Sequence, residues 1–130
     1  MPFSPWEYET VTLKSPDGKK TAVVSDPSEF AMGAPCTGEL KVSNGQSADN
    51  CSPSIVWSDD SRFLAVPQWI KREQRLLILD TESARRAFAP LTYRVLELHS
   101  FTDGIVHGID SPKHEPQKLA FNVRELFPDV

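Results

Sequence analysis

Two stretches decide the fold: KSPDGKKTAVV, residues 14–24, and WSDDSRFLAVP, residues 57–67. In the first, Pro16 supplies the fixed φ that suits the second position of a tight turn, Asp17 suits the third, and Gly18 takes a positive φ without steric cost. Apolar and polar residues alternate beyond the turn, as they do in half-buried strands. Each stretch therefore predicts a β-hairpin.

The same alternation extends through most of the chain. YETVTLK (8–14) is a half-buried strand pattern, and GELKVS (38–43) runs into Asn44-Gly45, a strong hairpin signal. Pro67 indicates an edge strand or a bulge, because proline cannot donate to a ladder. Only DTESARRAF and NVRELF compete for helix, and both are too short to anchor a helical layer. The sequence predicts an all-β fold of about ten antiparallel strands.

The two opening stretches also align as a repeat. At an offset of 43 residues, Val56 falls on Leu13 and Arg62 on Lys19, and each copy continues into a further strand. A period of about 40 to 45 residues with four strands per unit is the length of a β-propeller blade.

These residues resemble the Ser-Pro-Asp-Gly type of propeller blade repeat, known from the Tol-system propeller and from the propeller domains of prolyl-oligopeptidase-type enzymes. The first copy keeps the residues from Ser15 to Lys19, but has Lys14 where the usual tryptophan stands. The second keeps Trp57 and Ser58 and replaces the usual proline and glycine with Asp59 and Ser61. The resemblance covers residues 8–83 and implies a fold without implying a function.

The predicted organisation is a single domain, 1–130, with blade-like units at 8–45 and 53–83 and a degenerate third unit at 84–123. A closed propeller needs about 4 to 8 blades, so the chain is too short to form one. We expect an open antiparallel meander of propeller-blade-like sheets, whose free edges must be covered, paired or blunted.

Charge and composition narrow the choice of partner. The chain has 14 basic and 18 acidic residues, a formal charge of −4, and no Lys/Arg stripe. Nucleic acid is therefore not expected as a partner, whereas a protein with a basic patch agrees with the sign of the charge. The N-terminus shows no leader pattern, and no stretch approaches the roughly 18 apolar residues of a membrane span. We expect no membrane association and a cytoplasmic location.

Cys36 and Cys51 are the two cysteines. They flank a predicted strand and turn that would bring them close enough for a disulfide, while a reducing cytosol favours two free thiols. Both alternatives stay open, and two cysteines are too few for a four-cysteine zinc site.

The candidates for chemistry are few. His99, Asp103 and His107 lie around one predicted hairpin with Asp110, so they form a weak candidate metal site. A Ser58 or Ser100 triad lacks any Gly-x-Ser-x-Gly elbow. No cofactor is expected.

Aromatic residues beside cations indicate an interface instead. An exposed Trp69 next to Lys71 and Arg72 would suit protein binding, since Trp and Arg are enriched in hot spots. Trp6 either packs on the sheet or protrudes and joins that interface, while Trp57 is expected in the core. The predicted function is a non-enzymatic protein-binding β module, either an inhibitor or immunity-type protein or a self-associating homo-oligomer. The alternative is a small hydrolase or metal-dependent enzyme centred on His99 and His107.

Overall fold

The computed structural model describes residues 3–29 and 31–130, and in this part of the chain eleven strands are followed by one short helix. In order these are β1 Val11–Lys14, β2 Thr21–Glu29, β3 Cys36–Val42, β4 Ser47–Cys51, β5 Val56–Trp57, β6 Phe63–Ile70, β7 Glu73–Asp80, β8 Arg85–Tyr93, β9 Leu96–Thr102, β10 Ile105–Asp110, β11 Gln117–Asn122 and α1 Val123–Leu126. Every strand pair is antiparallel, so the predicted all-β class is confirmed. No helix in the described ranges has the length and apolar character needed to cross a membrane.

The strands form three layers. An eight-stranded sheet has the order β1-β2-β3-β4-β6-β7-β8 with β5 paired to β6, and a separate sheet has the order β11-β10-β9. Strands β4 and β6 are joined through one residue pair, Cys51 with Gln68, so the large sheet divides there into a first layer, β1–β4, and a second layer, β5–β8. The third layer is β9–β11. Within residues 3–29 and 31–130 no pairing closes a barrel or propeller, which confirms an open antiparallel meander.

Two hydrophobic cores hold the layers together. The first lies between layers one and two and includes Val24, Leu40 and Leu77. The second lies between layers two and three and includes Ile78 and Val106. The middle layer is therefore buried on both faces, which explains why its strands read as continuous apolar runs rather than as alternating ones.

The outer faces of the stack are polar. On the first layer Thr12 and Lys41 are exposed on either side of Val23, and on the third layer His107 and Lys118 are exposed. Polar outer faces end a stack of layers in the same way that capping repeats end a solenoid. The layers at both ends of the stack thus limit further sheet-on-sheet packing.

The hairpin turns recur with the spacing of the sequence repeat, and they do so three times. Gly18, Ser61 and Gly104 lie 43 residues apart and have φ values of 73°, 65° and 76°. Neighbouring turns are joined by backbone-to-side-chain hydrogen bonds, from the Asp17 N–H to the Ser61 hydroxyl at 2.9 Å and from the Asp103 N–H to the Asp59 carboxylate at 3.2 Å. We call this side of the molecule the turn end.

The layers differ in extent from the predicted units. Strand β4 extends the first layer beyond residue 45, and β8 pairs with β7 and so belongs to the second layer rather than opening a third unit at residue 84. The reason is the tight turn at 81–84, which Ala84 completes with a φ of 60° and which reverses the chain at once. The short helix considered for DTESARRAF does not form, whereas NVRELF contains α1 with Asn122 as its N-cap.

Pro67 lies in an interior strand and pairs with Leu76 without a register shift, whereas the sequence predicted an edge strand or a bulge. It occupies the point where β6 changes partner, from β5 at Ala65 to β4 at Gln68. Its carbonyl accepts the N–H of Ser52 at 2.8 Å on that side of the strand. The missing N–H of proline therefore falls in a gap between two partners and costs no ladder bond.

Candidate binding surface

The two-residue turn between β6 and β7 carries two cations. These strands pair without a register shift up to Ile70 and Glu73, so that Lys71 and Arg72 stand alone at the tip and are exposed. Lys71 has a φ of 57°, in the left-handed region where glycine is usual for hairpins of this length. Both side chains are thus presented to solvent from a rigid support.

An open cleft of about 1000 Å³ lies beside this turn. It is lined by the following residues: Ala31, Trp69, Lys71, Arg72, Glu73, Arg94 and Val95. Trp69 is only 9% exposed, so its ring forms part of the wall of the cleft instead of protruding as the sequence suggested. The lining combines a largely buried aromatic ring with exposed charged groups.

The segment Arg94–Val95 is held in place by two buried or half-buried acceptors. The Asp110 carboxylate accepts the N–H groups of both residues at 3.1 Å, and the side-chain carbonyl of Gln74 accepts the N–H of Leu96 at 2.6 Å. The backbone on this side of the cleft is therefore fixed by hydrogen bonds, as preorganised binding sites require.

Positive charge dominates the cleft. In the described part of the chain no carboxylate forms an ion pair with Lys71, Arg72 or Arg94. The one carboxylate of the lining, Glu73, accepts a hydrogen bond from the Thr92 hydroxyl at 3.1 Å. A chain with a net charge of −4 thus presents three cations at a single site, and no carboxylate of residues 3–29 and 31–130 is paired with them.

Trp6 packs against the protein on the same side of the molecule. Its indole N–H donates to the carbonyl of Gly33 at 3.0 Å, and the Lys113 ammonium lies 4.0 Å from its ring centroid. A pocket of about 110 Å³ beside it is bounded by Arg94 and Val95, which also line the cleft. The N-terminal segment therefore joins loops of the first and third layers and borders the cleft.

All four residues predicted for an interface thus lie on one side of the molecule, which we call the loop end. Trp69, Lys71 and Arg72 line the cleft, and Trp6 adjoins it. Sequence reasoning missed Arg94, which follows β8 and touches both pockets. No local pattern singles out this arginine, because its proximity to the β6–β7 turn depends on the pairing of β7 with β8.

The candidate metal residues are dispersed. His107 pairs with Ser100 across β9 and β10, and His99 occupies the bulge next to that pair and contacts the Glu97 carboxylate at 2.8 Å. Asp103 lies in the turn at the far end of β9. Among the residues that the structure describes, no three His, Cys, Asp or Glu side chains are grouped so that they could hold a metal ion.

The serines considered for catalysis have different surroundings. The hydroxyl of Ser58 donates to the Asp60 carboxylate at 2.5 Å and accepts the N–H of Phe63 at 2.9 Å, which fixes the turn. Ser100 lines a pocket of about 280 Å³ with His99 and apolar neighbours that include Trp57. The Ser58 hydroxyl therefore stabilises the hairpin turn.

Trp57 is 7% exposed and belongs to the first core, as predicted.

Cys36 and Cys51 are free thiols, and both are fully buried. The register pairs Cys51 with Gly38, two residues away from Cys36 along β3, so the two cysteines are not opposite each other. Burial raises the pKa of the Cys51 thiol to about 12, and burial together with Glu29 raises that of Cys36.

We expect both thiols to be unreactive in the folded protein. A thiol-specific chromogenic disulfide at pH 8 should titrate two thiols per chain in denaturant without any reductant, and react far more slowly in native buffer, since only the accessible thiolate attacks. A count of zero in denaturant would instead indicate a disulfide. Rapid native reaction would contradict the burial of the two side chains.

No known family model matches the sequence, and no curated protein and no solved structure shows significant similarity to it.

Proposed function

We propose that the protein is a non-enzymatic protein-binding module and that the cleft at the loop end is its binding surface. The observation that carries this proposal is the set of exposed cations, Lys71, Arg72 and Arg94, that surround the largely buried ring of Trp69 without ion-pair partners in the described chain.

The physical chemistry of interfaces supports this assignment. Arginine side chains supply a large share of binding energy when a partner removes them from water. The turn is fixed by the pairing of β6 with β7, and the N–H groups of Arg94 and Val95 are fixed by the Asp110 carboxylate, so little ordering entropy would be lost on association.

The module has two possible kinds of protein partner. An inhibitor or immunity-type protein would bind a different protein through the cleft, whereas a self-associating module would bind a second copy. A cytoplasmic location is part of the proposal and agrees with cysteines that remain free thiols.

Affinity capture from the native host, compared between variants, tests the proposal. The protein and a Lys19→Glu variant, altered at the turn end, should recover the same partner, while a Lys71→Glu/Arg72→Glu variant should recover much less of it because charge reversal repels the partner. Lys19 is an exposed lysine outside the cleft, so Lys19→Glu controls for the reversal of a charge elsewhere on the surface, and Lys71→Glu alone matches it in the size of the charge change. The purified partner should then bind with the same dependence on the variants in isothermal calorimetry. Recovery that is equal for all three proteins would contradict binding through the cleft.

The competing proposal is a small hydrolase or metal-dependent enzyme centred on His99 and His107. It has weaker support, because these side chains do not converge with a third ligand in the described part of the chain. Elemental analysis of the purified protein, with unfolding measured before and after chelation, separates the two proposals. Stoichiometric metal that stabilises the fold would favour the enzyme.

A further inference from the structure

We propose that the occupant of the cleft is an acidic segment of a protein partner, a short stretch in which carboxylates flank an apolar side chain. This inference rests on the proposed function and specifies the chemistry that the cleft recognises. It differs from what the net charge of the chain suggests, since an acidic protein would by itself favour a basic partner.

The charges of the cleft select carboxylates. Arg72 and Arg94 each offer a planar fork of donors that matches a carboxylate in two parallel hydrogen bonds, and Lys71 adds a third cation. Because Glu73 is the one carboxylate among the described residues that line the cleft, most of this positive charge is left for a ligand to neutralise.

The apolar part of the lining selects a side chain between those carboxylates. Trp69, Val95 and Ala31 contribute hydrocarbon surface inside the cleft. The adjacent Met32 is 98% exposed, and Ile70 beside the turn is 37% exposed. Exposed apolar groups next to cations are typical of a surface that a partner covers.

The backbone conformation of Lys71 also supports a binding role for its side chain. A lysine with a φ of 57° at a two-residue hairpin turn is strained relative to glycine. Glycine at this position would therefore make the turn more stable than lysine does. The lysine side chain adds charge to the cleft at a cost to the turn, and replacement by glycine separates these two effects.

A protein segment fits the cleft better than a nucleic acid does. Phosphate backbones are bound by many clustered cations, whereas this cleft has three and includes a carboxylate. The chain as a whole has 18 acidic residues against 14 basic ones, which would repel an extended polyanion.

Fluorescence anisotropy with designed peptides tests the proposal. The probe is a labelled decapeptide with four glutamates around one central leucine, and the matched probes replace the glutamates with glutamine or with lysine. We expect the glutamate peptide to bind at low salt, the glutamine peptide to bind at least about tenfold more weakly, and the affinity to fall as salt is added. The Lys71→Glu/Arg72→Glu variant should lose binding, and Lys19→Glu should retain it.

The Lys71→Gly variant provides the sharpest readout. It should unfold at a higher urea concentration than the unaltered protein. Its affinity for the glutamate peptide should nevertheless be several-fold lower, because one cation of the cleft is missing. A loss of affinity in a more stable protein cannot be attributed to misfolding.

Several results would overturn the inference. The first is that the glutamate peptide shows no binding at about 1 mM, and the second is that the glutamine peptide binds as tightly as the glutamate peptide. The third is that a labelled single-stranded oligonucleotide binds more tightly than the glutamate peptide. The fourth is that in sedimentation the protein alone self-associates in a way that Lys71→Glu/Arg72→Glu abolishes. If the captured partner depends on the cleft but the glutamate peptide does not displace it, the proposed function stands and only the acidic segment is wrong.

Discussion

Replacing Asp80 with alanine is expected to lower the free energy of unfolding by about 3–5 kcal/mol, the range for breaking a buried ion pair. The Asp80 side chain is fully buried and accepts two hydrogen bonds from the Arg62 guanidinium, at 3.0 and 2.9 Å. It also accepts the Ser83 hydroxyl at 2.6 Å and the N–H groups of Glu82 and Ser83. Alanine would leave all these donors without their acceptor at the β7–β8 turn. Urea unfolding followed by circular dichroism measures the loss.

Asp129→Ala is the matched control for this substitution. Asp129 is also an aspartate in contact with Arg85, at 3.0 Å, but its side chain is 63% exposed, so that we expect a far smaller change. Equal effects of the two substitutions would contradict the importance of the buried network. Asp80→Asn, which keeps the shape and removes the charge, should fall between them.

The same carboxylate makes stability depend on pH. Burial alone would raise the pKa of Asp80, but the hydrogen bonds from Arg62 and Ser83 outweigh it and hold the pKa well below its ordinary value. The stabilisation is therefore complete above the unfolded-state pKa of about 4 and is lost as the pH falls through the lower, folded-state pKa. The unfolding free energy of the unaltered protein should decrease more steeply below pH 4 than that of Asp80→Asn.

The sequence predicted strands and turns well because their signals are local. Asp17-Gly18 and Asn44-Gly45 mark their turns by residue type, and the strands on either side of each turn pair as a hairpin. The third turn at Asp103-Gly104 was recognised as a turn, but its place in the 43-residue series was not, because Phe101 and Thr102 stand where the first copy has serine and proline. The extent of the second layer was missed for a similar reason: nothing in the residue types at 81–84 announces that Ala84 adopts a positive φ.

Prediction of the binding surface depended on residues that are close in the sequence. Trp69, Lys71 and Arg72 could be grouped because a single hairpin carries them. Arg94 and the position of Trp6 could not, since these depend on contacts between layers and on the docking of the N-terminal segment on Gly33 and Lys113. The exposure of Trp69 was also misjudged, because a strand next to a charged turn gives no indication of what covers its other face.

Replacing Trp57 with alanine is expected to cost about 3–5 kcal/mol of unfolding free energy, as truncation of a large buried aromatic does. Trp57 is the last residue of β5 and packs in the first core with Leu64 and Leu79. Its indole N–H donates to the carbonyl of Leu13 at 2.9 Å and so joins β5 of the second layer to β1 of the first. Removal would also enlarge the pocket of about 280 Å³ that the ring lines. Far-UV circular dichroism is the appropriate probe, since the substitution removes a tryptophan fluorophore.

Trp57→Phe separates packing from hydrogen bonding. Phenylalanine keeps most of the apolar surface and loses the bond to the Leu13 carbonyl, so we expect a loss of about 1–2 kcal/mol, close to the value of one hydrogen bond with modest repacking. If phenylalanine and alanine were equally damaging, the indole N–H rather than the ring would hold the two layers together. If alanine cost less than about 1 kcal/mol, the burial of this ring would contribute little to the packing of the first core, and the prediction would be wrong. The difference between the two variants therefore measures how much of the contact between the first and second layers depends on this ring.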